Sequence, residues 1–136
     1  MGYCTAQDLI ARFGEEELLR IVPDETGEAI DLAAVALACD DAAGEIDGYA
    51  AAAGYPTPLS PVPRIVAAYA ADIARYRLYD DAATEQVTKR FNDAIRFLRA
   101  VANGDVTLGV KDTAPAGSGG VAQFEGGRKA FGGGGF

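Results

Sequence analysis

The chain predicts an all-α fold, a compact bundle of three long and two short helices, with a short β-like segment and an extended glycine-rich arm at the C-terminal side. Three observations carry that expectation. Apolar side chains recur at spacings of three and four through the three longest segments, which is the period of one helix face. Helix-start residues (Thr5, Asp31, Thr84) stand ahead of helical patterns, and glycines (Gly14, Gly54, Gly104) stand just beyond their ends. Finally, 136 residues of which 49% are apolar suffice to bury one core but not two.

The first short helix is expected from Ala6 to Phe13. Thr5 is its N-cap with Asp8 three residues on, and Cys4 and Leu9 are placed as the apolar staple around the cap. Gly14 ends it. Glu15, Glu16 and Glu17 then place negative charge on the positive end of a second short helix, which runs to about Ile21 and stops before Pro23. PDETGEAI, residues 23–30, reads as a turn-rich connection.

Asp31 is the expected cap of the longest helix, with Ile30 and Val35 as staple partners. Leu32, Val35, Cys39, Ala42, Ile46, Tyr49 and Ala53 then form one apolar stripe that ends at Gly54. Its many alanines make it slim enough for close approach by neighbours. YPTPLSPVP, residues 55–63, holds four of the six prolines and reads as a stiff extended connector. Ser60 with Pro61 gives a start signal for the next helix, whose stripe is Ile65, Tyr69, Ile73, Tyr76 and Tyr79, ending near Asp80. Thr84 caps the last long helix, where Val87, Phe91, Ile95, Leu98 and Val101 repeat until Asn103-Gly104. Three such stripes bury themselves most simply against one another.

VTLGV, residues 106–110, is the β-like run, too short to pair alone. From Thr113 the character changes, since nine of the last 24 residues are glycine and the large apolar side chains Val121, Phe124, Phe131 and Phe136 stand apart. Such a segment cannot build its own core. The expected division is therefore a helical domain over 1–112 and an arm over 113–136. In that arm Phe124, Arg128, Lys129, Phe131 and Phe136 suit contact with another subunit or protein, because each ring offers a large contact area on a backbone that can follow the partner.

Composition removes much of ordinary enzymology. The chain has no histidine and two cysteines, Cys4 and Cys39. That argues against Ser-His-Asp and Cys-His nucleophiles, most zinc sites and a disulfide scaffold. Phosphate-cradling and nucleophile-elbow motifs are missing too. The expectation is a protein that is not an enzyme and uses no cofactor. No basic leader and no apolar run of membrane-spanning length occurs, so a cytoplasm-like compartment without membrane contact is expected.

The net charge of −8 is unevenly spread. Residues 1–63 hold two basic against twelve acidic side chains, whereas residues 64–136 hold ten basic against eight acidic. An acidic flank of one copy can thus meet a basic flank of the next in a head-to-tail assembly, or the acidic side can simply be solvated. Neither arrangement grips a polyanion. Asp40, Asp41, Glu45 and Asp47 form an acidic cluster on the longest helix. With Asp72 they are the one candidate set of oxygen ligands for a hard cation, although a solvated helix face explains them better. In DIARYRLYDD, residues 72–81, the spacings of Asp72 to Arg75 and of Arg77 to Asp80 permit salt bridges along the helix. Alternatively, Arg75, Tyr76, Arg77 and Tyr79 make an intersubunit patch of the residue types that dominate interfaces.

The order of these pieces resembles the small neck protein of Mu-like phages and prophages over residues 1 to about 110. The likeness rests on Tyr3-Cys4-Thr5 with Asp8-Leu9 and Arg12-Phe13-Gly14, and on Ile46-Asp47 and Tyr49 within the segment from Asp41. It continues through the proline-rich connector and Asp72-Ile73-Ala74-Arg75-Tyr76 with Leu78-Tyr79. The chain departs from the pattern in the run from Ala50 to Ala53, where such proteins tend to carry a longer aliphatic and an arginine, and in its glycine-rich arm. The resemblance implies a head-tail connector, or adaptor, that forms a homo-oligomeric ring of about twelve copies. That ring would sit between the portal protein and a tail completion, stopper or terminator protein. DNA would pass through the channel during ejection without specific binding, with Asp40, Asp41, Glu45 and Asp47 facing it. The implied location is the virion neck, with assembly in the host cytoplasm. A different class of function, an acidic protein that mimics DNA and inhibits a host nucleic-acid enzyme, would also use the acidic first half.

Overall fold

The computed structural model describes residues 2–109. Within them lie five α-helices in chain order: α1 (Ala6–Phe13), α2 (Glu15–Ile21), α3 (Leu32–Ala52), α4 (Arg64–Tyr79) and α5 (Glu85–Ala102). A single 3-10 turn at Asp80–Ala82 joins the last two. The described residues contain no sheet, and their one β-bridge joins Pro23 to Ile30 across the turn between α2 and α3. The expected all-α bundle of three long and two short helices is the observed one.

Capping chemistry accounts for most of the boundaries. Thr5 and Asp8 form a reciprocal capping box on α1, with the Thr5 N–H donating to the Asp8 carboxylate at 2.9 Å. Gly14 closes α1 with its N–H on the Ile10 carbonyl and sits at φ +95°, where a side chain would be strained. Asp31 and Thr84 each accept a backbone N–H in the first turn of α3 and α5. In the turn before α3, the Asp24 carboxylate accepts from the Thr26 N–H, the Thr26 hydroxyl and the Gly27 N–H.

The start of α4 differs from expectation. It opens at Arg64 with Pro63 as a cap that offers no side-chain bond, not at Ser60-Pro61. Pro63 disfavours helical backbone at Val62, so a helix begun at Pro61 would break at its second residue. The buried face of α4 keeps Ile73 and Tyr79 of the expected stripe but is otherwise Val66, Ala70, Ala71 and Ala74. Ile65 is 44% exposed, and Leu32, the expected first member of the α3 stripe, is 56% exposed. The small side chains take the interior because they let α3 and α4 approach closely, while Tyr69 and Tyr76 move to the edge. There Tyr69 meets Phe97 at 5.0 Å between ring centroids and Tyr76 stacks on Phe91 at 4.0 Å, two pairs that fasten α4 antiparallel to α5.

The three long helices pack mutually, and α1 lies on α3 and α4. Leu9, Leu18, Val35, Ile46, Val66, Ile73, Val87 and Val101 are the largest fully buried side chains. Residues 106–109 form no strand, contrary to the β-like reading. Leu108 is buried and its N–H donates to the Tyr55 hydroxyl at 3.1 Å, so this stretch folds onto the bundle; a partner edge is not needed to satisfy it. Val110 and the arm, residues 113–136, lie outside the described residues.

Candidate interaction surfaces

The group 72–81 faces inward more than outward. Arg75 makes a two-point ion pair with Glu17 of α2, Nε to Oε2 at 2.8 Å and Nη2 to Oε1 at 3.0 Å, and its guanidinium lies 4.2 Å over the Phe13 ring. Both members of this pair are largely buried, with side chains 12% and 16% exposed. Tyr79 is buried beside them; burial, and then its hydrogen bond to Glu17, push the phenol up from its ordinary value. Burial alone would raise the Glu17 carboxyl as well. The hydrogen bonds from Arg75 and Tyr79, with the charges of Arg75 and Arg20, outweigh it and hold Glu17 below the usual glutamate value.

The ion pairs read from spacing along α4 are not the ones that form. Arg75 pairs with Glu17, Arg77 with Glu45 of α3, and Asp72 with Arg90 of α5 at 3.7 Å. These three α4 charges each reach a different neighbouring helix, since a partner across a packed interface costs less side-chain entropy than one held along a solvated face. Asp72 remains pushed up from its ordinary value by burial, against the opposing charges of Arg90, Arg75 and Arg12. Of the expected patch, Arg75 and Tyr79 are thus occupied within the protomer and Tyr76 lies against Phe91. Arg77 keeps 41% of its side chain exposed.

The acidic cluster of α3 divides between two faces. At about 100° per residue, Asp40 and Asp47 share one direction and Asp41 and Glu45 another. Asp47 accepts the Tyr3 hydroxyl and Glu45 the Arg77 guanidinium, while Asp40 and Asp41 are exposed. Asp72 does not join them. Among the described residues there is no group of three or more side chains placed to hold a metal ion.

Surface charge is polarised. Residues 2–47 expose Asp8, Glu15, Glu16, Glu25, Glu28, Asp40 and Asp41 against Arg12 and Arg20, whereas α5 exposes Lys89, Arg90, Arg96 and Arg99 against Glu85. Between α3 and α5 runs an open groove of about 440 Å³ lined by Glu45, Tyr49, Phe91, Ile95, Arg96 and Arg99. Composition by halves anticipates this polarity; the groove depends on helix order and had no signal in the sequence. Phe124, Arg128, Lys129, Phe131 and Phe136 lie outside the described residues. No helix among the described residues is long and apolar enough to cross a membrane.

Comparison with known proteins agrees with the resemblance drawn from the motifs. The chain is 36% identical over 110 residues to the Mu-like prophage FluMu protein gp36 of Haemophilus influenzae, covering 81% of this chain and 77% of that protein. It is 33% identical over 117 residues to gene product J of Escherichia phage Mu, covering 85% and 82% respectively. The family model described as Bacteriophage Mu, Gp36 matches residues 3–125, almost the whole chain, and the protein therefore belongs to the Mu Gp36 family of phage proteins.

Proposed function

We propose that this phage protein is a structural component of the neck, a head-tail connector that forms a ring between the portal and the next neck or tail component. Membership of the Mu Gp36 family is the observation that carries the reading, joined to the motif-level resemblance to neck proteins. The surface supports it physically. The net-acidic surface of the first half of the chain and the basic face of α5 are different patches of one molecule, and complementary but different patches join copies head to tail, as a ring requires. In such a ring Asp40 and Asp41 provide exposed negative charge for a channel through which DNA slides without sticking, while Glu45 and Asp47 serve within the protomer. The protein acts without catalysis, in the virion neck, after assembly in the host cytoplasm.

The test is a phage or prophage carrying this gene, induced with the gene deleted. Full heads without attached tails are the expected product, with rescue by the gene supplied in trans. Normal virions from the deletion would end the connector reading. Affinity capture from the same induced lysate separates the DNA-mimic alternative, which requires a stoichiometric host nucleic-acid enzyme where the connector reading requires portal or tail protein.

A further inference from the structure

The two cysteines of the chain are 35 residues apart in sequence, yet the fold sets their sulfurs 3.3 Å apart in the interior. Neither is a lone thiol in an apolar series, which is how Cys39 reads from its position on α3.

The contact is held from both sides. Cys39 sits in the middle of α3, on its buried face. Cys4 lies in the bend ahead of α1, and three neighbours fix that stretch. The Tyr3 hydroxyl donates to the Asp47 carboxylate and accepts the Leu59 N–H at 2.7 Å. Thr5 is locked into the capping box, and Leu9 is fully buried one turn on. At Gly2, an added Cβ would meet the Cys4 and Cys39 carbonyl oxygens at 3.4 and 3.7 Å, which shows how closely this stretch lies on α3.

We propose that Cys4 and Cys39 are a disulfide-forming site, at which oxidation by a small-molecule disulfide ties the amino-terminal stretch covalently to α3. A disulfide needs the sulfurs at about 2.0 Å, an approach of roughly 1.3 Å that the short non-helical stretch ahead of the α1 cap can supply. The Cys4 S–H donates to the Cys39 sulfur, so Cys39 surrenders its proton first and Cys4 keeps its own. Cys39 thiolate attacks one sulfur of oxidised glutathione, breaking that S–S bond, forming a mixed disulfide and releasing one glutathione thiolate. Cys4, on losing its proton, attacks the Cys39 sulfur of the mixed disulfide and releases the second glutathione. The protein loses two electrons and two protons, and the oxidant gains both as two glutathione thiols. Access comes through brief local release of the non-helical residues 2–5 from α3, against the contacts that hold them in the folded protomer. A reducing medium keeps the dithiol, and an oxidising one closes the link.

The experiment uses the full chain, reduced, freed of reductant and equilibrated with millimolar oxidised glutathione. It is then quenched in acid, unfolded and alkylated before intact-mass measurement. The expected product is a monomer 2 Da lighter than the reduced chain, with no alkyl or glutathione adduct and a Tm raised by roughly 5–10 °C, a rise reversed by dithiothreitol. Cys4→Ser, which leaves α3 untouched, should show no such rise and should carry one alkyl or glutathione group. Two alkylated cysteines in a chain that keeps its helical circular dichroism would overturn the proposal. So would a persistent glutathione adduct on the wild type, or a disulfide-linked dimer on a non-reducing gel.

Discussion

Glu17 and Arg75 show how one pair of side chains decides the attachment of an element. Glu17 opens no groove and ligates nothing, but its carboxylate fixes the short helix α2 to α4 through two bonds to a guanidinium that also covers Phe13. Replacing Arg75 by methionine keeps much of the apolar volume and strands the carboxylate, which should cost about 2 kcal/mol in urea unfolding at neutral pH. The pH dependence has a definite sign. Glu17 has a depressed value in the folded state, so its contribution is complete above the unfolded value of about 4.3 and is lost as pH falls through the lower folded value. The stability difference between wild type and Glu17→Gln should therefore shrink on acidification below that point. Tyr3 titrates at the other end of the scale. Burial first, and then its bond to Asp47, push the phenol up to about 12, so the stability it contributes is full below about pH 10 and is lost as pH rises through 12. Tyr3→Phe should cost about 1–2 kcal/mol at neutral pH, because the Leu59 N–H loses its acceptor, and should flatten the alkaline loss seen by the wild type. An unchanged alkaline profile in this variant would assign the loss to another group.

At the scale of elements, what could be read in advance depended on whether the deciding interaction was local. The bounds of α1, α2 and α5 follow from caps and stops within one turn, and the structure has them where the chain signals them. The start of α4 was obscured because two nearby prolines offer competing signals and only the later one leaves its predecessor free to be extended. The ion-pair partners of α4 were not legible, since Glu17, Glu45 and Arg90 reach it from three other elements. The long helix α3 keeps one unrepaid local cost. Gly44 and Gly48 lie in its exposed interior, with nothing within 4 Å of the position a Cβ would take. Alanine at either site should raise protomer stability by about 0.5–1 kcal/mol with an unchanged urea m value. A loss of stability would mean that the α3 backbone at these positions is held by more than helix geometry.

The whole molecule joins a closed core to a polarised exterior. Among the described residues the core runs on to Leu108, which is buried in it and whose N–H is satisfied by the Tyr55 hydroxyl. Residues 113–136 lie outside this described core, and their nine glycines and spaced phenylalanines suit the proposed arm, which would add contact area on a second surface. Removing the arm should therefore leave the helical circular dichroism unchanged and move Tm by less than about 2 °C. Its effect belongs to assembly. In a strain complemented with the truncated gene, incorporation into particles should fall several-fold and tailless heads should increase, while the soluble level of the protein stays the same. A large fall in Tm would instead place the arm in the fold of the protomer itself. Full incorporation with an unchanged Tm would leave the charged surfaces of the described residues to hold the protein in the proposed neck ring, and reversing Arg96 and Arg99 to glutamate should then abolish its incorporation.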